Sequence, residues 1–229
     1  MIHHLIARMT ARVAVRPRPP KSETRRIVGL MGRIGVFGGS FDPIHNGHVI
    51  LGLRAWESAS LDRVLLVPAA QSPHKGEAAP SLPGSFRAEL CELAFDSLSA
   101  FSVDRRELTR GDVSYAVDTL SELADEYPED ALYFLLGADA VEGLHTWKDA
   151  ARLVELATFL WMPRPGTDDA VAAAARERLP GLRLEVVDAP LIDISATMVR
   201  ERRSNRRPLR GFLPERVAAR LARLTRDGA

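Results

Sequence analysis

Two histidines three residues apart, His45 and His48, follow a glycine pair in the run Gly38-Gly39-Ser40-Phe41-Asp42-Pro43-Ile44-His45-Asn46-Gly47-His48. Imidazoles at this spacing lie on one side of a helical turn, so both can donate to one anion. Glycine has no Cβ, which lets the backbone turn sharply and come close to a ligand. A helix starting at such a turn adds unpaired N–H groups and partial positive charge. The chemistry this combination suits is the holding of phosphate oxygens. Taken alone, the same residues also read as a tight turn bearing surface histidines.

A second set stands far away in sequence, Ile194-Ser195-Ala196-Thr197-Met198-Val199-Arg200. Ser195 is a candidate N-cap, and the N–H groups of the turn it opens would hold phosphate oxygens. Arg200 adds a charged fork, which matches phosphate geometry better than lysine does. An ordinary capped helix with an exposed arginine is the competing reading. Neither the dinucleotide fingerprint G-x-G-x-x-G nor the P-loop G-x-x-x-x-G-K-S/T is present in register. The pair His3-His4 lacks the second pair of ligands that a metal site needs. Asp42, in a D-P step after a strand, reads as a turn residue. Cys91 has no nearby base or electropositive setting and is assigned to packing.

These residues need a frame. Arg33-Ile34-Gly35-Val36-Phe37 reads as a buried strand, and a helix carries His48 in its first turn and runs to Trp56. Further strands are expected at 63–68, 101–103, 131–137, 158–162 and 182–187. Helices are expected at 85–98, 112–127, 140–144, 147–156, 168–179, 195–203 and 214–224. Such alternation predicts an α/β doubly wound parallel sheet. In these sheets ligands bind beyond the carboxyl ends of the strands. The glycine motif, Pro68 to Lys75, Gly137-Ala138-Asp139 and Pro163-Arg164-Pro165-Gly166 all fall at such ends, consistent with one shared crevice.

With 229 residues, 46% hydrophobic and 27% charged, the chain can bury a full core as one domain. Its net charge of +1 hides an asymmetry, because residues 1–30 carry a net +6 and the remainder −5. That basic, Pro- and Arg-rich leader reads as a disordered tail or as sequence ahead of a start at Met31, with a transit peptide as the other reading. The single domain is expected over 31–229. Its acidic balance argues against nucleic acid as partner, and the cluster Arg200, Arg202, Arg203, Arg206, Arg207 and Arg210 reads as a solvated helix end. One cysteine fits a reducing cytoplasm. No apolar run approaches the ~18 residues of a membrane span.

The first run resembles the F-D-P-x-H-x-G-H signature of the nucleotidyltransferase superfamily. Together with the second, which matches I-S-S/A-T-x-x-R, it resembles the nicotinate-nucleotide adenylyltransferase family. Pro73-His74-Lys75, Ser114-Tyr115, Asp118-Thr119-Leu120, Gly137-Ala138-Asp139, Trp147, Arg164-Pro165-Gly166 and Leu213-Pro214-Glu215 follow in that family's order. The resemblance covers about residue 33 to the end.

The resemblance implies a Rossmann-like nucleotidyltransferase fold and transfer of AMP from ATP to nicotinate mononucleotide. It makes His45, His48 and Arg200 catalytic. It puts Gly38, Gly39, Ser40, Phe41, Gly137, Asp139, Ser195, Thr197 and Lys75 on ATP, and Tyr115, Trp147 and Arg164 on the acceptor nucleotide. Mg²⁺ is expected on ATP oxygens and water, since the sequence offers no carboxylate cluster for a protein cage. A homo-oligomer stays open. Two departures stand out: Ala116 where a threonine is expected after Ser-Tyr, and Ala69-Ala70 where asparagine is frequent. A phosphopantetheine adenylyltransferase, a cytidylyltransferase and a non-catalytic nucleotide sensor are the alternatives.

Overall fold

The apolar runs are strands buried on both faces, which is why they read as nearly continuous hydrophobic stretches. Along β1 (Arg33–Gly39), Ile34 and Val36 enter one core cluster and Phe37 the other. Along β2 (Arg63–Pro68), Val64 and Leu66 face the second cluster while Leu65 and Val67 face the first. β3 (Phe101–Val103), β4 (Ala131–Leu136), β5 (Ala157–Trp161) and β6 (Leu184–Val186) complete a sheet whose pairings are all parallel. This is a computed structural model, and it describes residues 31–73, 80–137, 140–163, 169–190 and 192–227.

The strand order is β3-β2-β1-β4-β5-β6, so the winding reverses between β1 and β4. Helices α1 (Asn46–Ser58), α2 (Gly84–Phe95), α8 (Ala196–Ser204) and α9 (Glu215–Asp227) send Leu51, Leu90, Val199 and Leu221 into the cluster on one face. Helices α4 (Ala116–Glu126), α5 (Ala140–Gly143), α6 (Ala150–Leu156) and α7 (Asp169–Arg178) cover the other, through residues such as Leu120, Val141, Leu153 and Ala172. The crevice at the reversal is where such a sheet binds ligands, and the doubly wound expectation holds.

Two local expectations need correction, and one short helix is added. The helix expected from Asp112 starts at Ala116, because Val113 forms a bridge with Gln71 and the Ser114 N–H donates to the Gln71 carbonyl at 2.8 Å. A short helix, α3 (Arg106–Arg110), precedes it and ends at Gly111, whose φ of 79° suits glycine. The helix expected from Trp147 starts at Ala150. Leu144–Thr146 form a 3₁₀ turn instead, leaving Trp147 in extended backbone. Residues 1–30 lie outside the described residues.

Candidate active site

β1 pairs with β2 as far as Gly39, so the chain leaves the sheet in the middle of the motif. Phe41 adopts φ 45°, which is costly for a residue with a Cβ. Its ring is buried and meets Phe37 and His48 edge-on at 5.3 and 5.1 Å. The Asp42–Pro43 bond is cis. His45 is then the N-cap of α1, and its ring stacks on that of His48 with centroids 3.7 Å apart.

The His45 N–H donates to His48 Nδ1 at 3.2 Å. That atom therefore acts as acceptor, which leaves the proton of a neutral His48 on Nε2. The His48 N–H turns back toward the His45 ring to complete a capping box, while among the described residues the buried His45 Nδ1 has no partner within hydrogen-bond limits. Burial also pushes the His45 pKa down from 6.5 to about 4. The ring is thus neutral at physiological pH. Gly47 makes this crowding possible, since a Cβ there would lie 3.1 Å from His45 Nδ1 and 3.3 Å from the Ile194 carbonyl.

The second motif arrives on α8. Ser195 caps it by accepting the Met198 N–H at 3.2 Å, as expected. Arg200 Nη1 donates to the Asp42 carbonyl at 2.7 Å and Nη2 to Thr197 Oγ1 at 3.0 Å. This contact joins residues 158 positions apart. Asn46 fixes the opposite side, donating from its backbone to Phe212 and from its side chain to the Gly211 carbonyl.

Asp42 is a turn residue. Its carboxylate accepts from the Ser81 N–H and hydroxyl and the Leu82 N–H, at 2.8 to 3.0 Å.

A cavity of about 400 Å³ opens on the β2 and β4 side. Gly38, Gly39 and Ser40 form one wall of it, and Tyr115 and Trp147 line it as well. The Trp147 ring stands edge-on to Phe134 at 6.1 Å. Lys148 also lines the cavity, its ammonium 4.5 Å from the centre of the Tyr115 ring and 3.0 Å from both Asp118 carboxylate oxygens. The result is an aromatic slot beside a phosphate-type turn.

A cytidylyltransferase-like family model matches residues 36–202. A Thermus thermophilus protein named probable nicotinate-nucleotide adenylyltransferase is 43% identical over 185 residues, covering 81% of this chain and 94% of that one. One of the same name from Opitutus terrae is 39% identical, with 81% and 92% covered. The chain belongs to the nicotinate-nucleotide adenylyltransferase family. The solved nicotinic acid mononucleotide adenylyltransferase of Plasmodium falciparum, complexed with NaAD, shares the fold. Its TM-score is 0.68 at 16% identity, covering 84% of this chain and 96% of that one.

The structure therefore brings His45, His48, Ser195, Thr197 and Arg200 around the turn of Gly38 to Phe41. It places Tyr115 and Trp147 in the adjoining cavity. Gly137 is exposed just beyond β4. Lys75, Asp139 and Arg164 lie outside the described residues.

Two buried groups escaped the sequence reading. Arg87 is 1% exposed and donates to the carbonyls of Ser40, Ala69 and Leu82 at 2.6, 2.7 and 3.1 Å. Its only sequence signal is a cation on the apolar face of α2, one turn before Cys91. Glu107 is 5% exposed and lines the cavity. It sits in a helix too short to show a period. Cys91 is buried, and that burial pushes its thiol pKa up, in line with a packing role.

Proposed function

We propose that this chain transfers the adenylyl group of ATP to the 5′-phosphate of nicotinate mononucleotide, giving deamido-NAD and pyrophosphate. The observation that carries this is the aromatic slot sharing its Gly38 to Ser40 wall with the turn that positions His45, His48 and Arg200. The acceptor phosphate is already an anion, so no general base is required. One P–O bond forms at the α-phosphorus as the bond to the pyrophosphate oxygen breaks, and the protein's part is alignment and charge neutralisation.

In this scheme the backbone of Gly39, Ser40 and Phe41 approaches the nucleotide phosphates. His48 offers its Nε2–H to the transferred phosphoryl group, with its orientation fixed by the hydrogen bond at Nδ1. His45, held neutral, offers a single N–H at the same place. Ser195, Thr197 and Arg200 bind the β and γ phosphates, and Gly137 with Asp139 the adenosine. Lys75 supplements the phosphate charge. Trp147 stacks on the pyridine ring, and Arg164 helps neutralise the acceptor.

Ala69, Ala70 and Ala116 bring no polar side chain to the acceptor, so main-chain groups are assigned to its ring carboxylate. Tyr115 supplies no side-chain cap to α4, and that helix opens into the cavity at Ala116. Lys148 is the one cation among the described lining residues.

Mg²⁺ fits as an ion carried by ATP. Among the described residues no group of three or more His, Cys, Asp or Glu side chains could hold a metal, and Asp42 is committed to Ser81 and Leu82. When bound, it offsets charge on the departing pyrophosphate. The assay is purified protein with ATP and Mg²⁺, offered nicotinate mononucleotide, nicotinamide mononucleotide or phosphopantetheine, with products separated. Turnover of phosphopantetheine alone would overturn the assignment. Absence of pyrophosphate release with any acceptor would favour a sensor. A cytoplasmic location is proposed with the function; among the described residues no helix is long and apolar enough to cross a membrane.

A further inference from the structure

Glu107 is a carboxyl group buried at the cavity with no part in the phosphate chemistry. Burying an acid is costly unless its oxygens are occupied. Here Thr119, from α4, donates its hydroxyl to Oε1 at 2.6 Å. The Ser114 side chain also faces this carboxyl group, on the side that favours its ionised form. Arg110 stands behind, donating to Thr119 Oγ1 at 3.3 Å. One carboxyl group thus joins α3 to α4 and faces the segment that leads into it.

The chain of contacts continues across the cavity wall. Ser114 Oγ accepts the Ala70 N–H at 2.9 Å, and the Ser114 N–H donates to the Gln71 carbonyl at 2.8 Å. The loop after β2 is therefore tied to the start of α4 through Ser114, whose hydroxyl faces Glu107. From its other side that loop is held by Arg87 on the Ala69 carbonyl and by the Ala69 N–H on the Gly39 carbonyl, at 2.7 and 2.9 Å. Ala69, Ser114, Tyr115 and Ala116 all line the cavity.

We propose that Glu107 is a positioning residue for the acceptor nucleotide, acting through Ser114 and Thr119 to hold the loop after β2 and the start of α4 as one binding wall. The inference rests on the adenylyltransferase reading of this site. Its force comes from the alanines. Ala69, Ala70 and Ala116 bring no polar side chain to this wall, and the Ala69 and Ala70 N–H groups are already bonded within the protein. Reading of the ligand thus falls to the main-chain N–H groups that open α4. Such groups cannot be re-aimed by a rotamer change, so their placement decides affinity.

The test is steady-state kinetics of wild type, Glu107→Leu, Glu107→Gln and Ser114→Ala, run well below each variant's melting temperature. Glu107→Leu leaves the buried Thr119 hydroxyl without its acceptor and removes the carboxyl group that Ser114 faces. It is expected to raise KM for the acceptor by roughly 10- to 100-fold with KM for ATP within about twofold. Glu107→Gln keeps an acceptor oxygen and should recover most of that loss. Ser114→Ala cuts the link to Ala70 while sparing the Thr119 contact, and it should raise the acceptor KM in the same way. If Glu107→Leu does not fold, Ser114→Ala decides the matter. An acceptor KM unchanged in both variants, or acceptor and ATP KM values rising together, overturns the proposal. Should wild type use a different phosphorylated acceptor, the functional reading fails while the same KM split, measured with that acceptor, still judges Glu107.

Discussion

At the scale of single residues, the stacked histidines differ in what surrounds them, and that difference is measurable. His48 accepts the N-cap N–H of His45 on Nδ1, so removing the ring takes away the donor we propose for the transition state and leaves one backbone N–H unpaired. His48→Ala is expected to lower turnover by ~10²–10³ and stability by about 1 kcal/mol, with ATP binding retained; unchanged turnover removes His48 from the chemistry. His45 is held neutral by burial, with a pKa near 4 against 6.5 for a free imidazole. Between those values the unfolded chain binds a proton that the folded chain refuses, so stability falls as pH drops through this window, by up to about 1.4 kcal/mol per pH unit. His45→Gln should flatten that dependence. Urea midpoints at pH 7 and pH 5 for both proteins give the answer, and parallel shifts in the two would show that burial of His45 carries no proton linkage.

At the scale of elements, what could be read from sequence and what could not follow from one distinction. β2 and β4 were legible because both faces of each strand are buried, so Arg63 to Pro68 and Ala131 to Leu136 stand out as apolar runs. The turn after β1 was legible because its glycines and histidines are adjacent in the chain. Arg87 and Glu107 were not, because each is defined by partners on other elements. The carbonyls that Arg87 bonds belong to the turn after β1, the loop after β2 and the segment before α2. This makes α2 the clamp on both walls of the site. Arg87→Leu strands up to three buried acceptors, at about 1–3 kcal/mol each, and should cost 3 kcal/mol or more. Arg87→Lys should recover little of this, since one ammonium cannot reproduce a planar fork. Thermal unfolding compares the two, and full stability in the lysine variant would refute the clamp.

At the scale of the whole molecule, the site depends on contacts between distant parts of the chain. α1 and α8 pack on the same face of the sheet, and the Arg200 bond to the Asp42 carbonyl joins the two motifs. Each motif is legible by itself along the chain, whereas their meeting depends on the reversal between β1 and β4. If both motifs hold one triphosphate, binding of ATP ties these segments together and must stabilise the native state. At a free ligand concentration 100 times Kd the gain is about 2.7 kcal/mol, which for a chain of this size raises Tm by roughly 5–10 °C. In Arg200→Ala the protein should still fold, because Ser195 continues to cap α8, but the shift at the same ATP concentration should largely vanish. A shift of equal size in the variant would mean that α8 takes no part in holding the triphosphate, and the phosphate site would then rest on the glycine turn and its histidines alone.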